Sequence, residues 1–164
     1  MYKRQVEELK ARIVAGLLPA QREFVLDTEH KVLGFCAGFG AGKTRALCAK
    51  VVYLALLNPG TVAAVFEPTH ILLRDVWMRS FDDYLEEYQI EHEFRVSPQP
   101  EYQLHVPGGT TTLLCRATET WNRIRGQNLS FICALYLKQI PSELGVNLQL
   151  FAPSAPQQLS LIHI

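Results

Sequence analysis

Lys31-Val32-Leu33-Gly34-Phe35-Cys36-Ala37-Gly38-Phe39-Gly40-Ala41-Gly42-Lys43-Thr44 is the stretch whose reading decides the fold. Its first six residues form an apolar run of the kind that makes a buried strand. The next eight match a phosphate-binding P-loop, with Ala37 in place of the first glycine. Lys43 then opens a stretch rich in Ala, Leu and Val that Asn58-Pro59-Gly60 stops after Leu57, which predicts a helix. Strand, small-residue loop and helix are the three parts of a phosphate cradle. Small residues let the backbone approach phosphate oxygens with its N–H groups turned inward. The helix N-terminus adds partial positive charge. In such a cradle Gly38, Phe39, Gly40, Ala41 and Gly42 surround the phosphates, Lys43 reaches the β- and γ-oxygens, and Thr44 sets its hydroxyl on the metal. ATP and Mg²⁺ are the expected ligand and cofactor. The plainer alternative is a glycine-rich strand-to-helix turn with Lys43 in solvent.

Upstream, Val6, Leu9, Ile13 and Val14 recur at near-helical spacing, predicting an amphipathic helix over 2–16 that Gly16 and Pro19 end. A second helical piece is expected over 21–26. Downstream, Thr61 to Phe66 reads as another buried strand. His70 to Tyr88 carries Leu72, Leu73, Val76, Trp77, Phe81, Tyr84 and Leu85 as a helical core stripe. Two strands alternating with two helices begin a βαβα pattern, hence an α/β fold with a parallel sheet flanked by helices. Tyr102–Val106 and Thr110–Cys115 flank Pro107-Gly108-Gly109 as a hairpin. Arg116 to Gln127 reads as a polar loop with a helical turn. Leu129 to Leu137 reads as a third buried strand.

The 164 residues are the size of one domain. At 48% hydrophobic and 20% charged, the composition excludes global disorder. Sixteen Lys and Arg balance sixteen Asp and Glu, so binding nucleic acid by bulk charge is not supported. No uncharged apolar run reaches the ~18 residues of a membrane span, and the charged N-terminus has no secretory core. Cys36, Cys48, Cys115 and Cys133 lie far apart and read as free thiols. After Glu143 no Asp, Glu, Lys or Arg occurs. The expected division is a domain over 1–143 and a non-native or truncated tail over 144–164. The alternative is an apolar tail that docks on a partner.

Nucleotide hydrolysis needs a carboxylate at the end of a neighbouring strand to hold Mg²⁺, and another to polarise the attacking water. The run Cys133-Ala134-Leu135-Tyr136-Leu137-Lys138 supplies neither, and the last Asp of the chain is Asp83. The residues as they stand therefore predict nucleotide binding without hydrolysis, or an altered sequence.

The chain resembles the N-terminal ATPase domain of the large terminase subunit of tailed bacteriophages. The resemblance is spread over most of 17–143. Leu18-Pro19-Ala20-Gln21-Arg22-Glu23-Phe24 looks like the segment that holds adenine in this family, where the Gln21 amide can both donate and accept. Gly34 to Thr44 is similar to the terminase P-loop. Phe66-Glu67-Pro68-Thr69 with Leu72-Leu73-Arg74-Asp75 looks like the second strand and helix. Arg123-Ile124-Arg125-Gly126-Gln127-Asn128-Leu129-Ser130-Phe131-Ile132 is similar to the lead into the acid-bearing strand. There the family would place Asp-Glu at Leu135-Tyr136, and Ile140 to Leu144 again resembles it. A match that fails and resumes resembles a compensated frameshift after Ala134.

This resemblance implies a P-loop NTPase fold of the RecA-like (ASCE) type, incomplete on its C-terminal side. It implies an ATPase motor that moves double-stranded DNA into a procapsid from the bacterial host cytoplasm. The implied partners are a portal protein, a small terminase subunit and further copies in a ring, with no membrane. In the intact parent the enzyme is an ATP hydrolase; the chain as written is expected to be inactive. Arg116, Arg123 and Arg125 are candidates for an arginine finger, with Arg125 taken as the catalytic one beside Lys43. The alternative for each is a loop arginine paired with an acid such as Glu119. A helicase-like ATPase and a binding module without hydrolysis remain as other readings. Arg74 and Asp75 read as a local ion pair. Glu67 reads equally as a ligand-facing or a solvated strand-end acid, and Cys36 as packing on a buried strand.

Overall fold

The computed structural model describes residues 2–38, 40–119, 127–135 and 158–162. Helices α1 (Tyr2–Ala15) and α2 (Pro19–Leu26) lead into β1 (Val32–Gly34), the glycine loop and α3 (Lys43–Leu57). Then come β2 (Val62–Glu67), α4 (His70–Leu72), a π-helical turn (Leu73–Met78) and α5 (Arg79–Glu87). The remaining elements are β3 (His92–Arg95), β4 (Glu101–Val106), β5 (Gly109–Ala117), β6 (Phe131–Leu135) and β7 (Gln158–Ile162).

The strands form one mixed sheet in the order β1-β7-β6-β2-β5-β4-β3. β1, β7, β6, β2 and β5 run parallel, and β5, β4 and β3 are joined antiparallel. β2 lies between β5 and β6, with Phe66 level with Arg116 on one side and Ala134 on the other. Its burial is continuous from Ala63 to Glu67, as a strand covered on both faces requires.

Alternation along the strands sorts the core into two faces. Ala63, Val65, Leu113, Cys115, Phe131, Cys133 and Leu135 pack on the side of α3 and α5. Ala64, Phe66, Leu114, Ile132 and Ala134 gather on the other with Leu129. Helix α3 is buried from Ala46 to Val52, which suits its nearly all-apolar sequence. Trp77 stacks on Phe81 at 4.5 Å between ring centroids and meets Tyr102 edge-on at 6.3 Å. The expected stripe of Trp77, Phe81, Tyr84 and Leu85 is thus core, although part of its helix is wound as a π-turn.

Three expectations change. β1 is shorter than the apolar run and borders the sheet, so Val32 is 61% exposed and Cys36, beyond the strand, is exposed as well. β5 extends through Arg116 and Ala117, where the Arg116 Nη1 donates to the carbonyls of Pro100 and Cys115. β3 was not predicted: as the opposite edge strand it is largely exposed and lacks an apolar alternation. Among the described residues no helix is long and apolar enough to cross a membrane.

Candidate phosphate-binding site

The glycine loop leaves the carboxyl end of β1 and enters α3 at Lys43. Gly40 and Gly42 have φ of 76° and 74°, in the left-handed region that side chains resist. Gly42 is also the N-cap of α3, and Ala46 N–H donates to its carbonyl at 3.0 Å. The earlier N–H groups of the helix have no acceptor within it and point out of its end. Among the described residues, a Cβ built on Gly38 or Gly40 would meet nothing within 4 Å. Lys43 folds back over the loop, its Nζ donating to the carbonyls of Ala37 at 2.8 Å and Gly38 at 2.7 Å. A phosphate group offers that ammonium a charged acceptor in place of two neutral ones.

Thr44, the next residue, lines a surface cavity of about 310 Å³ with Arg45, Ser80, Asp83, Tyr84 and Glu87. Arg45 is held by both carboxylate oxygens of Glu87, at 2.8 and 2.6 Å, and lies 5.5 Å from the Tyr84 ring centre. That pairing leaves Lys43 as the cation that meets the loop carbonyls.

Gln21 is 3% exposed and bridges α2 to the loop. Its Oε1 accepts from Leu18 N–H at 3.0 Å, and its Nε2 donates to the carbonyls of Ala41 at 3.3 Å and Gly42 at 3.2 Å. The fit is close, since a Cβ on Gly42 would stand 2.5 Å from Nε2. A second fastening lies behind it. Lys50, fully buried on α3, donates to the carbonyls of Val25 and Asp27 at the end of α2. Burial pushes the Lys50 ammonium down to about 8. The sequence carries one signal of this: a lone lysine inside the apolar run Leu47 to Leu57.

Glu67, at the carboxyl end of β2, is fully buried, and among the described residues neither of its carboxylate oxygens has a hydrogen-bond partner. Burial alone pushes its carboxyl up to about 8. An unpaired buried carboxylate costs several kcal/mol if ionised, more than the net worth of an ordinary hydrogen bond. Arg74 and Asp75 form the expected exposed ion pair, at 2.7 Å. Arg116, weighed as a finger or as a partner of Glu119, is neither: it is buried and donates to the carbonyls of Pro100 and Cys115. Phe39, Arg123, Arg125 and Tyr136 lie outside the described residues, whereas Leu135 is 2% exposed in β6.

The donor set fits Mg²⁺ as it is held with nucleotides. Among the described residues no group of three His, Cys, Asp or Glu could hold a metal unaided. Magnesium in phosphate sites takes one or two protein oxygens and the phosphates themselves, and the oxygens open to such a role here are the Thr44 hydroxyl and the unpartnered Glu67 carboxylate.

No family model matches the sequence, and no curated protein does. Solved structures do match. The Thermus phage P74-26 large terminase ATPase domain superposes with a TM-score of 0.71 at 14% identity, over 93% of this chain and 66% of that one. The large terminase of a thermophilic bacteriophage gives 0.75 at 10% identity, over 94% of this chain and 38% of that one. That second terminase has also been solved with ATP-gamma-S and with ADP. The Phi-28 gp11 DNA packaging motor gives 0.51 at 11% identity, over 86% and 48%. The chain thus spans less than two thirds of each of these structures, and at such identities the likeness is one of fold. This α/β sheet, with its glycine loop between β1 and α3, has the fold of phage large-terminase ATPase domains.

Proposed function

We propose that this chain is the nucleotide-binding part of a DNA-packaging ATPase of the large-terminase kind. The observation that carries the reading is the loop itself: two left-handed glycines, Lys43 folded over two carbonyls, and the start of α3, at the carboxyl end of β1. Its setting in a terminase-like fold supports the same reading.

Triphosphate binding would turn the Lys43 ammonium from the carbonyls of Ala37 and Gly38 to phosphate oxygens, with the loop N–H groups holding the same chain of phosphates. Gln21 keeps the loop in its phosphate-ready shape through Ala41 and Gly42; its proposed contact with adenine would use an amide already anchored to that backbone. Thr44 would hold Mg²⁺, which when bound neutralises charge on the phosphate oxygens. Phe39 completes the loop. Arg125 is proposed as the cation that answers γ-phosphate charge, in the same copy or the next around a ring. Double-stranded DNA, a portal protein, a small terminase subunit and the bacterial host cytoplasm belong to the proposed whole protein, as do the division at 143 and the tail over 144–164.

One observation favours binding without hydrolysis as a second reading: Leu135, where an acid would stand, is an apolar core residue. ATP turnover measured with and without double-stranded DNA separates the two. Turnover that DNA accelerates and Lys43→Ala abolishes is the motor's result. Tight binding with no phosphate release assigns the binding module, and the absence of both removes the proposal.

A further inference from the structure

Glu67 is buried on the face of the sheet that carries the P-loop helix. Side chains alternate along β2, so Glu67 shares the face of Ala63 and Val65, which pack with α3, Cys133 and Leu135. Burial chiefly pushes up the Cys48 thiol, on the second turn of α3, and an ionised Glu67 adds a little in the same direction. The parallel register ends with Phe66 beside Ala134, so the next residues of the two strands are Glu67 and Leu135. Arg116 is no counter-ion for it. That residue is level with Phe66, on the opposite face, and gives its guanidinium to carbonyls. The chain beyond Glu67 is fixed, because Thr118 Oγ1 donates to Pro68 and Thr69 caps α4. The carboxyl ends of parallel strands are where open α/β sheets take ligands, and the glycine loop leaves β1 at that same end.

We propose that Glu67 is the carboxylate this chain presents to the Mg²⁺ of a bound Mg–nucleotide, at the level of the sheet where β6 offers only Leu135. The inference rests on the nucleotide reading above. A buried carboxylate with no partner is accounted for by a cation that arrives with the ligand.

The test titrates the 164-residue chain with ATP-gamma-S in excess EDTA and again in excess Mg²⁺. It uses the wild type, Lys43→Ala, Glu67→Gln and Glu67→Asp, each first shown by its thermal melt to be folded. Mg²⁺ is expected to tighten wild-type binding about tenfold or more. Glu67→Gln is expected to bind as the wild type does in EDTA and to lose that gain, with Glu67→Asp keeping part of it. A structural role would spare the isosteric amide, so a full Mg²⁺ gain in Glu67→Gln overturns the proposal and leaves the nucleotide reading intact. Wild-type chain that fails to bind, or Lys43→Ala that binds equally, overturns both. In the wild type, Mn²⁺ added with ATP-gamma-S is expected to broaden the Glu67 and Leu135 amide resonances and to spare those of β4. Unbroadened Glu67 and Leu135 signals overturn the proposal without any variant.

Discussion

Replacing Gln21 tests whether α2 holds the phosphate loop. The Gln21→Ala change removes three hydrogen bonds from a side chain that is 3% exposed: one from Leu18 N–H at 3.0 Å, and two to Ala41 and Gly42 at 3.3 and 3.2 Å. The first bond satisfies the N-cap of α2 and should be worth about 1 kcal/mol, and the two longer ones somewhat less each. Their sum is about 2–3 kcal/mol, which lowers the melting temperature of a chain this size by roughly 4–12 °C. Gln21→Glu is the sharper variant. It keeps the acceptor for Leu18 but turns an oxygen toward two carbonyls where the wild type has a donor. Ionised, it should cost more than alanine. Protonated, its O–H can donate again, so its deficit should shrink as pH falls from about 7.5 towards about 4.5. Urea unfolding followed by circular dichroism reads both effects. A loss under about 1 kcal/mol for alanine, or a glutamate deficit that does not change with pH, refutes the bridging role.

Other expectations follow from the same geometry. Gly42→Ala should destabilise by about 2 kcal/mol, because the position has φ of 74° and a Cβ there would press on Gln21, whereas Gly38→Ala should be nearly neutral in a thermal melt. Lys50 is shifted down from 10.5 to about 8, so the unfolded chain keeps a proton that the folded chain loses. Its contribution therefore makes stability rise with pH between about 8 and 10.5, by about 3 kcal/mol, and the slope should vanish in Lys50→Met. Glu67 acts in the opposite sense, because its folded carboxyl, raised from 4.5 to about 8, keeps a proton that the unfolded chain gives up. Stability should fall as pH rises from 4.5 to about 8, by about 4–5 kcal/mol, with Glu67→Gln flat by comparison in denaturant titrations. Trp77→Ala, which empties a fully buried stacked position, should cost about 3–5 kcal/mol and show in the same titrations.

The elements that decide the fold were legible because their signals are local. Lys43 to Leu57 is bounded by a glycine on one side and Asn58-Pro59-Gly60 on the other, and α3 has those limits. Phe131–Leu135 is apolar at every position and is buried at every position. What was not legible depends on neighbours in space. Lys31–Cys36 reads as a buried run much as β6 does, but β1 borders the sheet and Val32 stays exposed. His92–Arg95 has no period-two pattern because its partner β4 alone makes it a strand. The π-turn within 73–78 leaves no mark on the apolar stripe. At the site, the loop stood out by residue type and spacing and Gln21 only by the family resemblance, and the use of Gln21 as a brace depends on α2 lying against the loop. The burial of Glu67, a strand-end acid by sequence, comes from β5 and β6 on either side of it.

The nucleotide reading requires the N–H groups from Gly40 to Arg45 to hold a chain of phosphates. Amide hydrogen exchange of the wild-type chain, with ATP-gamma-S and separately with adenosine, tests it most directly. ATP-gamma-S in Mg²⁺ is expected to slow exchange across residues 40–46, and adenosine is not. Equal exchange with and without ATP-gamma-S at saturating concentration, or the same protection from adenosine, would contradict it.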